Sequence, residues 1–463
     1  MFRARPKAAA QPRPAADLGA LPEWNLADLY PSRDSQAYAS DLAKAAAECA
    51  AFNAAYTGKL EALAKKASGA GLLEAVQRYE ALEELLGRIM AYAGLVYAED
   101  TTDPAGMKFY GDAQEKITNA SSDLLFFELE LNRLDDDLAA KVAARPLRHY
   151  RPWLEDIRKG KPYQLEDKLE QLFHEKSITG YGAWNRLFDE TIASLRFNID
   201  GEELAIEPVL NLMQDPDERT REKAAIAFGA SLKENLRTFA LVTNTLSKDK
   251  EISDRWRGFK DVADARHLAN RVEREVVDAL VSAVRTAYPR LSHRYYRLKS
   301  KWFGKPALKH WDRNAPLPRV PTKVYRWDDA RDIVLDAYDG FSPKMAGIAK
   351  RFFDERWIDA PVRPGKQPGA FAHPTVPSAH PYVLMNYQGK PRDVMTLAHE
   401  LGHGVHQVLA GPNGALMAPT PLTLAETASV FGEMLTFRAL LLRTTNAAPR
   451  RALLAAKVED MLN

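Results

Sequence analysis

Apolar residues recur at 3.6-residue spacing along most of this chain, a pattern that predicts a mostly α-helical protein. Ala/Leu/Glu-rich segments predict helices over 35–57, 71–97, 104–134, 164–177 and 183–197, and further helices over 217–253, 274–303 and 327–353. Asp200-Gly201, between Leu195–Ile199 and Glu203–Ile206, is a hairpin signal that trims the fifth of these helices. It also marks a seam between an N-terminal helical lobe, 21–198, and a second lobe, 199–463, with residues 1–20 expected to form a disordered tail. Gly369–Ala372 and Tyr382–Tyr387, joined through Pro374, Pro377 and Pro381, predict a small β-ribbon. Such a ribbon either packs beneath the helix that follows it or offers a strand edge to an extended peptide.

That next helix carries the chain's most specific signal. Val394, Leu397, Leu401, Val405 and Val408 fall on one face, and His399, His403 and His406 on the other. Asp393 is the expected N-cap, and Gly411-Pro412 the stop. Residues four apart on a helix stack on one face, so His399 and His403 can present two ring nitrogens to one metal at roughly 2.0–2.1 Å each. Glu400, about 100° round the helix, can reach a water on that metal without ligating it. His-Glu-x-x-His in this setting points to zinc-dependent hydrolysis.

A zinc site needs a third protein ligand, and His406, Glu426 and Glu433 are the candidates. His406 lies two turns beyond His399 on the same helix, which spreads the three rings over roughly 10 Å, so it fits a supporting or core role better. The run Thr423–Leu435 follows a Pro/Gly-rich loop, 411–421, that can turn a second helix back onto the first. Glu426 and Glu433, seven apart, share a face of that helix. One carboxylate can bind the metal while the other takes the free N–H of a ligating imidazole, with Glu426 the better ligand candidate. Small apolar neighbours (Ala425, Ala428, Val430) make a merely solvated pair of glutamates the weaker alternative.

With Leu397–His406 and Ala425–Ser429 in view, the chain resembles the oligoendopeptidase F and thimet oligopeptidase family of zinc metallopeptidases. Trp24–Tyr30, Ala265–Val272, Ser292–Lys299, Gly369–Phe371 and Pro381–Tyr387 resemble the oligoendopeptidase F branch in particular. The resemblance runs over nearly the whole chain after about residue 20. It implies a two-lobed, zincin-like helical peptidase with a deep groove, one Zn2+ held by His399, His403 and Glu426, and Glu400 as general base. Glu433 would support a histidine from behind, and short unstructured peptides would be the substrates. One departure matters: family chains continue past the second helix to a tyrosine- and histidine-containing segment that stabilises the tetrahedral intermediate. This sequence stops at Asn463, inside what reads as an amphipathic helix over 450–462, so the expectation is a C-terminally truncated chain. An alternative is then a zinc-retaining peptide-binding fragment with impaired turnover, since losing an oxyanion donor costs about 10²–10³ in rate.

Composition narrows the remainder. The 463 residues, 46% hydrophobic and 27% charged, suit a globular protein with a large core. Sixty-four basic against 62 acidic residues leave a net charge of +2, which gives no pull toward nucleic acid or membranes. Cys49 is the only cysteine, so intramolecular disulfides and cysteine metal clusters are excluded. With no long apolar run or signal-peptide pattern, the expected location is the cytoplasm.

Overall fold

The structure is a computed structural model that describes residues 17–66, 69–320 and 323–462. Most of the expected disordered tail lies outside these residues, but 17–20 do not. The Leu18 carbonyl accepts from the Trp327 N–H at 2.8 Å and Leu18 packs against the core, so the first described residues are docked there.

The molecule is mostly helical, as its periodicity predicts. Gln36–Tyr56 is capped by Ser35, whose hydroxyl accepts from the Tyr38 N–H, and Ala70–Glu99 is the longest helix. Four expected helices are each broken in two. The 104–134 segment divides into Pro104–Ser122 and Leu125–Arg133, where the Asn53 amide takes the Asp123 carbonyl at 3.0 Å. Residues 217–253 form Glu218–Glu234 and Leu236–Arg257, divided at Asn235, whose side chain bonds back to the Ser231 carbonyl. The 274–303 segment gives Arg274–Ala287 and Ser292–Trp302, separated around Pro289, and 327–353 gives Trp327–Asp339 and Pro343–Asp354. Proline lacks the N–H that would continue a helix but suits a first turn, as Pro343 does behind the Ser342 cap.

β1 (Phe197–Ile199) and β2 (Glu202–Leu204) form the expected antiparallel hairpin. Asp200 at φ 56° and Gly201 at φ 92° supply the two left-handed positions that a tight two-residue turn requires. The ribbon near the histidine helix is a three-stranded sheet, because β3 (Ile358–Asp359) adds to β4 (Phe371–His373) and β5 (Tyr382–Leu384) in the order β3-β5-β4. β3 runs parallel to β5, and β4 antiparallel. β3 was not expected; two residues carry no periodicity.

One continuous core links Trp24, Phe52, Tyr79 and Phe127 with Trp357, Tyr382, Leu397 and Leu440. A small satellite core holds Leu195, Phe197, Val209 and Ala224. The expected seam at 198/199 therefore falls inside the satellite cluster, and the main core crosses it. The first described residues also close onto the sheet: Ala360 N–H donates to the Pro22 carbonyl and Asn25 N–H to the Arg356 carbonyl, each at 2.9 Å. Trp24 packs edge-on against Tyr382 with ring centroids 5.9 Å apart.

Candidate functional site

The histidine helix spans Pro391–Ala410. Pro391 takes the first helical position, which moves Asp393 from the expected cap to the third turn residue. From there its carboxylate accepts from the N–H groups of Lys390 and Gln388, both at 2.9 Å. Val394, Leu397 and Leu401 are fully buried, which fixes the helix's rotation and turns His399 and His403 the other way.

The second helix, Leu422–Arg443, lies against it in the most extensive contact between two elements among the described residues. Two glycines allow this approach. A Cβ at Gly402 would meet the Ala428 carbonyl oxygen at 2.7 Å, and one at Gly432 would come within 3.1 Å of the Ala398 carbonyl oxygen; a Cβ at Gly404 would instead run into the Phe352 ring of Pro343–Asp354. The buried Tyr338 hydroxyl donates to the Ala398 carbonyl at 2.5 Å, tying the histidine helix to Trp327–Asp339.

The contact brings side chains together as follows. His399 Nε2 is 3.2 Å and His403 Nε2 3.5 Å from the same Glu426 carboxylate oxygen. The three possible ligand atoms lie within 4.8 Å of one another, the one such group found among the described residues. The two imidazoles stand nearly perpendicular, at 82° with centroids 5.0 Å apart. Ser429 donates its hydroxyl to Glu426 Oε2 at 2.7 Å, holding a carboxylate that is otherwise half exposed. Glu433 Oε2 faces His399 Nδ1 at 3.4 Å, on the far side of the ring from Glu426. His406 stays outside the group, in an open recess of about 580 Å³ with Arg271, Pro419, Pro421, Leu424 and Phe431. A second recess, about 700 Å³, is lined by residues 132–133, 161 and 164–168 and is remote in sequence from these groups.

Electrostatics separates the site's groups. Glu400 is only 7% exposed, and burial, with the Glu426 charge adding, pushes its carboxyl up to about 7; His399 opposes the shift. The hydrogen bond to Glu433 holds His399 above its ordinary range, against the effect of burial. His403 is pushed down by burial. Burial alone would raise Glu433, but hydrogen bonds with His399 and Lys457 outweigh it and keep the carboxyl low.

Beside these groups, β4 is an edge strand. Val383 N–H donates to the Trp357 carbonyl, so Val383 faces β3, and its partner Ala372 must face away from β5. The Ala372 carbonyl accepts from Gln407, one turn beyond His403, at 3.1 Å. His373, at the end of the strand, is held neutral by burial, with its pKa pushed down to about 4, and its Nδ1 accepts from Thr375 N–H. His380 stacks on Trp357 with centroids 3.8 Å apart and contacts Asp28, so its role is in packing.

Sequence reasoning missed Ser429, Tyr338 and Lys457. The i+3 spacing of Ser429 from Glu426 was a usable signal; Tyr338 and Lys457 act over long sequence separations and leave none. No helix among the described residues is long and apolar enough to cross a membrane.

Two family sequence profiles match the chain: Oligopeptidase F over residues 130–197 and Peptidase family M3 over residues 343–463. Oligopeptidase PepF of Bacillus subtilis is 26% identical over 405 residues, covering 84% of this chain and 58% of the relative. Group B oligopeptidase PepB of Streptococcus agalactiae is 26% identical over 397 residues, covering 84% and 65%. The chain thus spans about three fifths of these relatives' lengths. In fold it is similar to oligoendopeptidase-F from Enterococcus faecium, with a TM-score of 0.65 at 20% identity over 93% of this chain and 72% of that one.

Proposed function

Since the chain belongs to peptidase family M3, on its oligoendopeptidase F side, we propose that it is a zinc-dependent endopeptidase that hydrolyses short unstructured peptides. The observation that carries this is the meeting of His399 Nε2 and His403 Nε2 on one oxygen of Glu426, with Glu400 between the two histidines in the chain. The donor set suits zinc: bonds of about 2.0–2.2 Å in a tetrahedral site place donor atoms roughly 3.3–3.6 Å apart, close to the 3.2 and 3.5 Å from the two histidines to Glu426, with all three atoms within 4.8 Å of one another. His399, His403 and Glu426 would hold the ion.

Zinc bound there supplies Lewis-acid polarisation of the scissile carbonyl and acidifies water. Glu400, enclosed beside the two histidines, is suited to take a proton from the attacking water and return it to the leaving amine. Glu433 fixes the His399 ring by accepting at Nδ1, which leaves Nε2 free as the ligand atom. The outward edge of β4, where the Ala372 carbonyl already accepts from Gln407, offers its remaining backbone groups to an extended peptide, a mode that tolerates many sequences. Such pairing favours unstructured substrates over folded proteins.

Elemental analysis of the purified chain, combined with cleavage of a quenched fluorescent peptide library with and without chelator, tests the proposal. One zinc per chain and chelator-sensitive cleavage are expected. Zinc without cleavage would leave a peptide-binding protein, and no stoichiometric metal would remove the reading built on His399.

A further inference from the structure

The last helix, Ala447–Leu462, sets a cation against the acidic support of the site. Lys457 Nζ contacts Glu433 Oε1, the oxygen that does not face His399, and is also 2.9 Å from Asp460 on its own helix. The Lys457 and Glu433 side chains are 10% and 11% exposed, so each charge is largely withdrawn from water and depends on its partner. Two residues on, Glu459 points the opposite way. It accepts from Tyr295 at 2.6 Å and pairs with the buried Lys299 at 2.8 Å, while Tyr295 also bonds the Ala455 carbonyl at 3.1 Å. The helix is therefore anchored to Ser292–Trp302 by contacts that do not involve Lys457.

We propose that Lys457 is a positioning residue for the metal centre. A glutamate carboxylate turns about three side-chain bonds; with Oε1 held by Lys457, Oε2 is fixed on His399 Nδ1, and the ring is fixed with Nε2 toward Glu426. Lys457 acts through Glu433, its side chain bonding Glu433 and Asp460 rather than the metal ligands. The inference rests on the zinc site proposed above, and it assigns to the helix after the glutamate helix a part in building that site.

Zinc affinity, measured on the metal-stripped full chain by competition with a chromophoric chelator, is the test, with the Co2+ absorption spectrum as a second readout. Partners of metal-bound histidines typically contribute about 10–100-fold in affinity. Lys457→Met is expected to lose affinity in that range and to shift the cobalt bands, whereas Lys457→Arg stays near wild type. In a Glu433→Gln background, Lys457→Met should cost nothing further, because the two act in series. Should the methionine variant not fold, Lys457→Gln is compared in the same two backgrounds. Wild-type affinity in Lys457→Met, or an equal loss with and without Glu433, would overturn the positioning role while leaving the zinc site standing. A wild-type chain that binds no zinc would overturn both.

Discussion

Gly402 and Ser429 touch at the point where two helices cross: a Cβ on Gly402 would sit 2.8 Å from the Ser429 Cα. Ser429 in turn holds the Glu426 carboxylate. The glycine between the two motif histidines thus sets how near a carboxylate from another helix can come to them.

Gly402→Ala should force the helices apart. Overpacking of this kind costs about 1–3 kcal/mol, and the same displacement withdraws Glu426 from both imidazoles. Urea unfolding together with zinc titration should show both losses. A variant that is destabilised yet binds zinc normally would uncouple helix spacing from the site.

Glu400→Gln should keep the metal and lose turnover. General acid–base groups contribute about 10²–10⁴-fold, so kcat should fall at least that far while zinc content stays at the wild-type level. Normal activity in this variant would disprove the role given to Glu400.

His399→Ala and Glu426→Gln should both reduce bound zinc. Elemental analysis after gel filtration is the measurement. Unchanged stoichiometry in Glu426→Gln would place the third ligand elsewhere, with Glu433 the next carboxylate in reach of His399.

Burial pushes the Glu83 carboxyl up to about 7, with the nearby Glu128 charge adding. A carboxyl whose pKa is raised on folding favours the folded state below its unfolded value, near 4.5, and that contribution is lost as pH rises through about 7. Glu83→Gln should accordingly stabilise the protein by about 1–3 kcal/mol at pH 8 and leave it unchanged at pH 4. Equal effects at both pH values would show that Glu83 does not carry the proton.

The elements that could be read from sequence were those encoded locally. His399, His403 and the buried stripe Val394–Leu397–Leu401 declare a helix and its orientation together, and Asp200-Gly201 declares a turn. Helix breaks were harder, because the Asn53 amide that takes the Asp123 carbonyl comes from 70 residues away. A start capped by Asp393 falls about one turn too late, since Pro391 is as good a first helical residue as Asp393 is a cap. The convergence of Glu426 on the histidines depends on Gly402 and Gly432 meeting their partners across an interface, and helical periodicity does not report such a meeting. Lys457, 24 residues beyond Glu433, has only its charge to distinguish it from any solvated lysine.

The closure of Pro22 and Asn25 onto Ala360 and Arg356 bears on the order of events during synthesis. These residues leave the ribosome well before the strands they cover and the histidine helix, which are complete only after residue 410. At 5–20 residues per second the wait is roughly 20–80 s. Throughout that interval Trp24 is without Tyr382, and the nascent protein presents to the cell an aromatic segment that a holding chaperone could shelter.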